Sequence, residues 1–111
     1  MSTPSIPSAT RFLMARIQDL VLDLNLAGRH QAWLYIHGGD RLSYRLVTMP
    51  RGCTHTDPEA VGMDAWLSRL WDQDYMQRMG WSWQIAQQTV HADLLNMAER
   101  LERLIEEGKP S

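Results

Sequence analysis

One stretch near the carboxy terminus, Ser82–Gly108, constrains this chain most, because its hydrophobic period and both of its end signals agree. Apolar residues recur at alternating spacings of four and three, which places them on one side of an α-helix. Ser82 can cap the first turn, and Gly108 followed by Pro110 is typical of a helix end. We predict one long helix here. Its apolar seam is Trp83, Gln87, Val90, Leu94, Met97, Leu101 and Leu104, widened by Leu95, Ala98 and Ile105.

A second helix is predicted over residues 9–27, after a loose tail over residues 1–7. Ser8 is a residue type that commonly caps the start of a helix, and Gly28 is the type that commonly follows a helix end. The inward stripe is Leu13, Met14, Ile17, Leu20, Val21 and Leu24. Leu22 and Leu26 form a small strip on the far side, which we interpret as exposed leucines, a contact with the tail, or an oligomer or partner contact.

Residues 31–49 predict a β-hairpin, because two runs rich in aromatic and branched residues flank Gly38, Gly39 and Asp40. A three-residue loop puts Leu34 and Ile36 beside the inward side chains of the second strand, Leu42, Tyr44 and Leu46. The same register puts these side chains on the outer face: Trp33, Tyr35, His37, Arg41 and Arg45. A two- or four-residue loop would exchange the two faces of the first strand, so that Trp33 and Tyr35 would lie beside the inward side chains instead. We favour the three-residue loop because it makes the cleaner core.

The segment between the hairpin and the long helix predicts one or two short helices. Pro58 and Glu59 resemble a helix start after the loop over residues 50–57, and Asp64 could cap a helix with Met63, Trp66, Leu67, Leu70 and Trp71 on one side. Asp74 would interrupt that stripe with a buried carboxylate, so we predict a break near Asp72; the alternative is that an arginine such as Arg45 or Arg69 pairs with Asp74. The predicted fold is α+β and mostly helical: N-terminal helix, β-hairpin, one or two short helices, long C-terminal helix.

The totals favour one ordinary globular domain, over residues 8–108, with short tails at 1–7 and 109–111. No apolar run approaches the roughly 20 residues of a membrane-spanning helix. Met1–Thr10 lacks the basic start and apolar centre of a secretory signal, and Cys53 has no second cysteine with which to form an internal disulfide. We therefore expect a cytoplasmic protein.

Few residues in the chain suggest chemistry. No glycine-rich phosphate loop, nucleophile elbow or recognisable carboxylate pair is present. Cys53, His55 and Asp57 alternate in a loop and are metal-ligand types, but structural zinc usually requires four ligands, and the other histidines lie on separate elements. Cys53 as a nucleophile would need a nearby base and a positive setting. We predict no cofactor and no enzyme, and keep a small metal or cysteine-dependent enzyme as the third hypothesis.

The outer hairpin face is the predicted partner surface, where Trp33 and Tyr35 alternate with arginines, the residue types enriched in binding hot spots. Its proposed members are Trp33, Tyr35, Arg41, Arg45, Arg29 and Arg51. The alternative is that segment 66–83 covers the rings and makes the face a second internal layer. Up to Cys53 six arginines face three aspartates, whereas beyond it ten acids outnumber five basic residues, so the front half is the cationic one.

These features predict a non-catalytic protein-interaction module, such as an adaptor, inhibitor or accessory protein of the kind that phages and mobile elements encode. Its partner would carry an acidic surface. The alternative is a nucleic-acid-binding accessory factor, which the net charge of −2 and the lack of a basic recognition helix disfavour. The seam Val90, Leu94, Met97, Leu101 and Leu104 could also form a homodimer, with packing inside one chain as the alternative.

Overall fold

The computed structural model describes residues 6–38, 42–54 and 56–107. Their elements in chain order are α1 (Ser8–Ala27), β1 (His30–His37), β2 (Ser43–Pro50), β3 (Val61–Trp66), a 3-10 turn (Leu67–Leu70), α2 (Gln73–Met79) and α3 (Trp83–Glu107). The predicted class, α+β and mostly helical, is confirmed, as are both long helices. The predicted cap at Ser8 is wrong, because α1 already includes this residue and Pro7 precedes it without a side-chain cap bond. Gly108 and both predicted outer tails lie outside these ranges, apart from Ile6 and Pro7.

The sheet is antiparallel with the order β1-β2-β3, so β2 is central and the other two strands are edges. Leu34 pairs with Leu46, and Ile36 with Tyr44. The predicted facing is therefore confirmed, although the segment between the strands is residues 38–42 rather than three residues. A three-residue loop and a five-residue loop both have an odd length, so each side chain lies on the same face of the sheet with either loop.

The third strand is the main correction to the sequence prediction. Residues 61–66 were expected to lead into or form a helix capped by Asp64, but they pair with β2 instead. Met63 and Ala65 lie opposite Leu46 and Tyr44, on the face toward the helices, and Ala65 is fully buried. A two-stranded ribbon is marginal in water, and this third strand enlarges it into a sheet that can support a core. A six-residue run is too short for its period to distinguish a strand from a helix.

The predicted break near Asp72 is confirmed. The Asp72 carboxylate accepts a hydrogen bond from the Tyr75 N–H at 3.0 Å and so caps α2, which leaves Asp74 exposed in the first turn. At the start of α3, Ser82 Oγ accepts from the Ile85 N–H at 3.3 Å, as the sequence predicted.

The core lies between the inner face of the sheet and the two long helices, which also contact each other. Ile17, Leu20 and Leu24 of α1 meet Tyr44 and Leu46 of β2 there. Ala98 is buried and Ile105 partly buried, as predicted, whereas Leu95 is exposed because it points away from α1 and the sheet. Among the helices that the structure describes, none is both long and apolar enough to cross a bilayer.

Candidate functional site

The outer face of the sheet, turned away from α1 and α3, carries a row of aromatic and charged side chains. We define it by Trp33, Tyr35 and His37 of β1, Arg45 of β2, and Asp64 and Trp66 of β3. Trp33 is 47% exposed and Tyr35 41% exposed, so the alternative that residues 66–83 cover these rings is wrong. The predicted sharing of this face by Trp33, Tyr35 and Arg45 is confirmed.

Arg45 does not offer a free charge, because it is bonded across the sheet. Its Nη1 donates to the Asp64 Oδ2 at 2.6 Å, and Asp64 is its direct cross-strand neighbour. A Cβ on Gly62 would lie 2.7 Å from Arg45 Nη2, so the glycine leaves room for the guanidinium to lie across β3. The hydrogen bond that Arg45 donates to the Asp64 carboxylate raises the pKa of Arg45 above its ordinary value, with a smaller contribution from Tyr35. The two charges compensate each other at the centre of the outer face.

The other predicted arginines are not gathered around the rings. Arg29 and Arg51 are exposed at the end of the hairpin where the chain enters β1 and leaves β2. Arg51 N donates to Arg29 O at 3.1 Å, and Arg51 Nη1 donates to Gly28 O at 3.3 Å. Arg41 lies outside the described ranges. The predicted set therefore divides into a ring-bearing centre and a cationic end.

Trp66 was assigned to a helical core by the sequence, yet it lies between two concave sites on the surface. One, of about 570 Å³, is lined by residues of the outer face, including Tyr35, Arg45 and Trp66. The other, of about 550 Å³, we call the Trp66 pocket; it is lined by Trp66, Ser68, Arg69, Asp72, Tyr75, Arg78 and Met79. Trp66 therefore borders both the concave site on the outer face and the Trp66 pocket.

The Trp66 pocket contains two further arginines, Arg69 and Arg78, whereas Arg45 of the outer face is already paired with Asp64. The Arg69 guanidinium lies 5.3 Å from the centre of the Tyr75 ring and 5.9 Å from that of Trp81, within cation–π range. Arg78 forms no ion pair with any carboxylate in the described part of the chain. Interleaved arginines and aromatics between residues 66 and 81 were the sequence signal for this pocket. The signal was missed because the tryptophans were counted as core residues.

The predicted metal-ligand set of Cys53, His55 and Asp57 differs from the group of residues that the structure brings together. Cys53 and Asp57 come together with Glu59, with one ligand atom of each within 4.8 Å of the others, and His55 lies outside the described ranges. Three ligands of which Glu59 is exposed fall short of the closed four-ligand set of structural zinc. Burial, and then the charge of Asp57, raise the pKa of the Cys53 thiol. A protonated thiol is a poor nucleophile, so this setting does not favour a cysteine-dependent enzyme.

We expect Cys53 to react with iodoacetamide at neutral pH more slowly in the folded protein than in the urea-unfolded chain, because its raised pKa lowers the thiolate fraction. Asp57→Asn should speed the folded-state reaction, whereas Asp74→Asn, on exposed α2, should leave it unchanged. The measurement is the alkylation rate as a function of pH by mass spectrometry. Equal rates in all three folded proteins would show that Asp57 does not control the thiol.

The predicted oligomer seam lies inside the core of the single chain. Val90, Leu94, Met97 and Leu101 are fully buried, and Leu104 is 6% exposed, in one cluster with residues of α1 and the sheet. A second copy could reach this seam only if α1 moved away. The structure therefore shows the alternative arrangement, in which the seam packs within one chain.

Comparisons with protein-family models, with curated proteins and with solved structures found no match for this chain. The function is therefore argued from the geometry of the outer face and the Trp66 pocket.

Proposed function

We propose that this chain is a non-catalytic protein-interaction module, an adaptor, inhibitor or accessory protein that acts in the cytoplasm by covering a partner's surface. The observation that carries the proposal is the exposure of Trp33 and Tyr35 on a sheet face whose Trp66 also lines a neighbouring pocket. Aromatic rings and arginines are the residue types that contribute most energy to protein interfaces.

Rigidity supports this function. Trp33 and Tyr35 stand on β1, which is paired along its length with β2, and β2 is held on its other side by β3. Side chains on a preorganised strand lose less conformational entropy on binding than side chains on a loop. A flat face with a neighbouring pocket also matches the common arrangement in which anchor residues fill a concave site and aromatic area surrounds it.

The charges support an acidic partner that contacts the Trp66 pocket rather than Arg45. Arg78 has no carboxylate partner in the structure described above, and Arg69 is held by aromatic rings. A partner's carboxylate in this pocket would meet two guanidinium groups suited to bidentate hydrogen bonding, beside the single carboxylate of Asp72, which caps α2. Arg45 would contribute only by exchanging Asp64 for a carboxylate of the partner.

The test begins with affinity capture of the partner from native host lysate and then measures its affinity for variants of this protein. Trp33→Ala combined with Tyr35→Ala should weaken binding about thirtyfold or more, because hot-spot truncations cost about 2 kcal/mol or more. Trp83→Ala is the matched control, since Trp83 of α3 is 46% exposed, compared with 47% for Trp33. Equal affinities of the double variant and the control would refute the assignment of the outer face.

Reversal of charge tests the pocket separately. Arg78→Glu should weaken binding and reduce its salt dependence, whereas Arg103→Glu, on the exposed side of α3, should change neither. Loss of binding in the aromatic double variant without any loss in Arg78→Glu would retain the outer face and exclude the acidic contact at the pocket.

A nucleic-acid-binding accessory factor is the second proposal, because exposed rings beside arginines can also stack bases and hold phosphates. It predicts that single-stranded oligonucleotides bind in a fluorescence anisotropy titration, with an affinity that falls steeply as salt rises. Absence of binding at low salt would exclude this function and leave the protein-interaction proposal standing.

A further inference from the structure

The β1 edge of the sheet has a stretch in which the outward backbone groups form no hydrogen bonds within the described ranges. Residues of an antiparallel edge strand alternately direct their backbone groups toward the neighbouring strand and away from it. The backbone groups of Ala32 point away from β2, because its N–H donates to Asn25 Oδ1 at 3.2 Å and its C=O accepts from Asn25 Nδ2 at 3.1 Å. By the same alternation, the backbone N–H and C=O groups of Leu34 and Ile36 point away from β2. Within the described ranges, no hydrogen bond is made to these outward groups.

An apolar groove runs beside this open stretch. It has a volume of about 510 Å³ and is lined by α1 on one side and by β1 and β2 on the other: Gln18, Val21, Leu22, Leu34, Tyr35, Ile36 and Tyr44. Leu22 is 62% exposed and Ile36 is 56% exposed. We call this site the edge groove, and none of the side chains that line it is charged at neutral pH.

The opposite edge is protected in a way that the β1 edge is not. Native proteins guard edge strands with charges and other features that make poor templates for a further strand. β3 carries the charged residue Asp64, whereas β1, His30–His37, contains no Asp, Glu, Lys or Arg. A strand with open backbone groups, no charge and exposed apolar side chains is a template for another strand.

We propose that β1 pairs with β1 of a second copy of this chain, antiparallel, about a twofold axis at Tyr35. In this register Leu34 lies opposite Ile36 of the second copy and exchanges two backbone hydrogen bonds with it, and the twofold repeats the exchange. The Asn25 side chain already occupies the outward N–H and C=O of Ala32, so the pairing is confined to the stretch of β1 that begins at Leu34.

A second copy fits the edge groove because the contact must be complementary to itself. A twofold axis brings each group near its own equivalent, so a charged patch would repel itself, whereas the uncharged edge groove does not. Leu22 of α1 then lies beside the apolar side chains of the added strand, which covers surface that is exposed in one chain. This inference does not rest on the proposed function, because it uses the edge of the sheet and the groove beside α1.

Sedimentation equilibrium of the full chain from low to high micromolar concentration tests the pairing. We expect a monomer–dimer equilibrium that Ile36→Pro and Leu22→Glu each weaken about tenfold or more. Proline at position 36 removes only an outward N–H, which leaves the hydrogen bonds between β1 and β2 in place. Leu95→Glu is the matched control, because Leu95 is an exposed leucine of α3 outside the edge groove.

Far-ultraviolet circular dichroism and thermal melting of each variant establish that it is folded, and Leu22→Glu alone suffices for the test if proline at position 36 prevents folding. A protein that stays monomeric at high micromolar concentration would overturn the proposal and leave the β1 edge to a strand from a different protein. A dimer that neither variant weakens, or that Leu95→Glu weakens equally, would place the interface elsewhere and also overturn it.

Discussion

Leu101→Ala should lower the free energy of unfolding by about 2–5 kcal/mol, the range for truncation of a leucine in a well-packed core. Leu101 is fully buried between α1 and the sheet, within the seam of α3. The loss combines the transfer free energy of the removed methyl groups with the cavity left behind, because the other members of the buried cluster, such as Ile17 and Leu46, stand on helical or paired backbone that relaxes little. Urea denaturation followed by circular dichroism measures it.

Leu95→Ala is the control for this prediction, since Leu95 lies on the same helix but is 42% exposed. Its substitution should cost less than about 1 kcal/mol, as is usual for surface positions. If both variants lost the same stability, α3 would not pack through its predicted seam, and the core described above would be wrong.

Asn25→Ala should destabilise the protein by about 1–3 kcal/mol, the cost of leaving hydrogen-bonding groups without partners. Asn25 Nδ2 donates to Val21 O at 2.9 Å as well as to Ala32 O, and its Oδ1 accepts from the Ala32 N–H. The alanine variant loses all three of these hydrogen bonds, two of which join α1 to β1. The measurement is the midpoint of urea denaturation at constant protein concentration.

Two variants make this prediction specific. Asn25→Asp keeps an acceptor for the Ala32 N–H but places a carboxylate oxygen against Val21 O and Ala32 O, near the C-terminal end of α1. Its stability should therefore fall at least as far as that of Asn25→Ala. Asn96→Ala, on the exposed side of α3, should be close to neutral. A neutral Asn25→Ala would show that water replaces the side chain at Ala32 without cost.

The long helices could be predicted because each repeats a local signal many times. In α3 the apolar period extends over several turns, and the Ser82 cap marks its start. The shared face of Trp33, Tyr35 and Arg45 was also predictable, because alternation along a strand needs only the correct odd or even loop length. These features depend on residues that are close in sequence.

β3 and the features that depend on it could not be predicted in this way. Gly62 and Asp64 are poor strand formers by propensity, and only pairing with β2 makes residues 61–66 extended. With β3 assigned to a helix, neither the compensation of Arg45 by Asp64 nor the surface position of Trp66 could be inferred. The same holds for Asn25, whose partner on β1 becomes visible only when α1 and β1 are placed side by side.

The Gly62–Asp64 edge also decides how far assembly can proceed. A copy that attached its β1 to the β3 of another would leave one β1 free at the end, and repetition of that contact would build an endless fibril. The carboxylate of Asp64 makes β3 a poorer acceptor for such growth than the uncharged β1. The protein is thus protected against polymerisation along its sheet, even though one of its strands is ready to accept a neighbour.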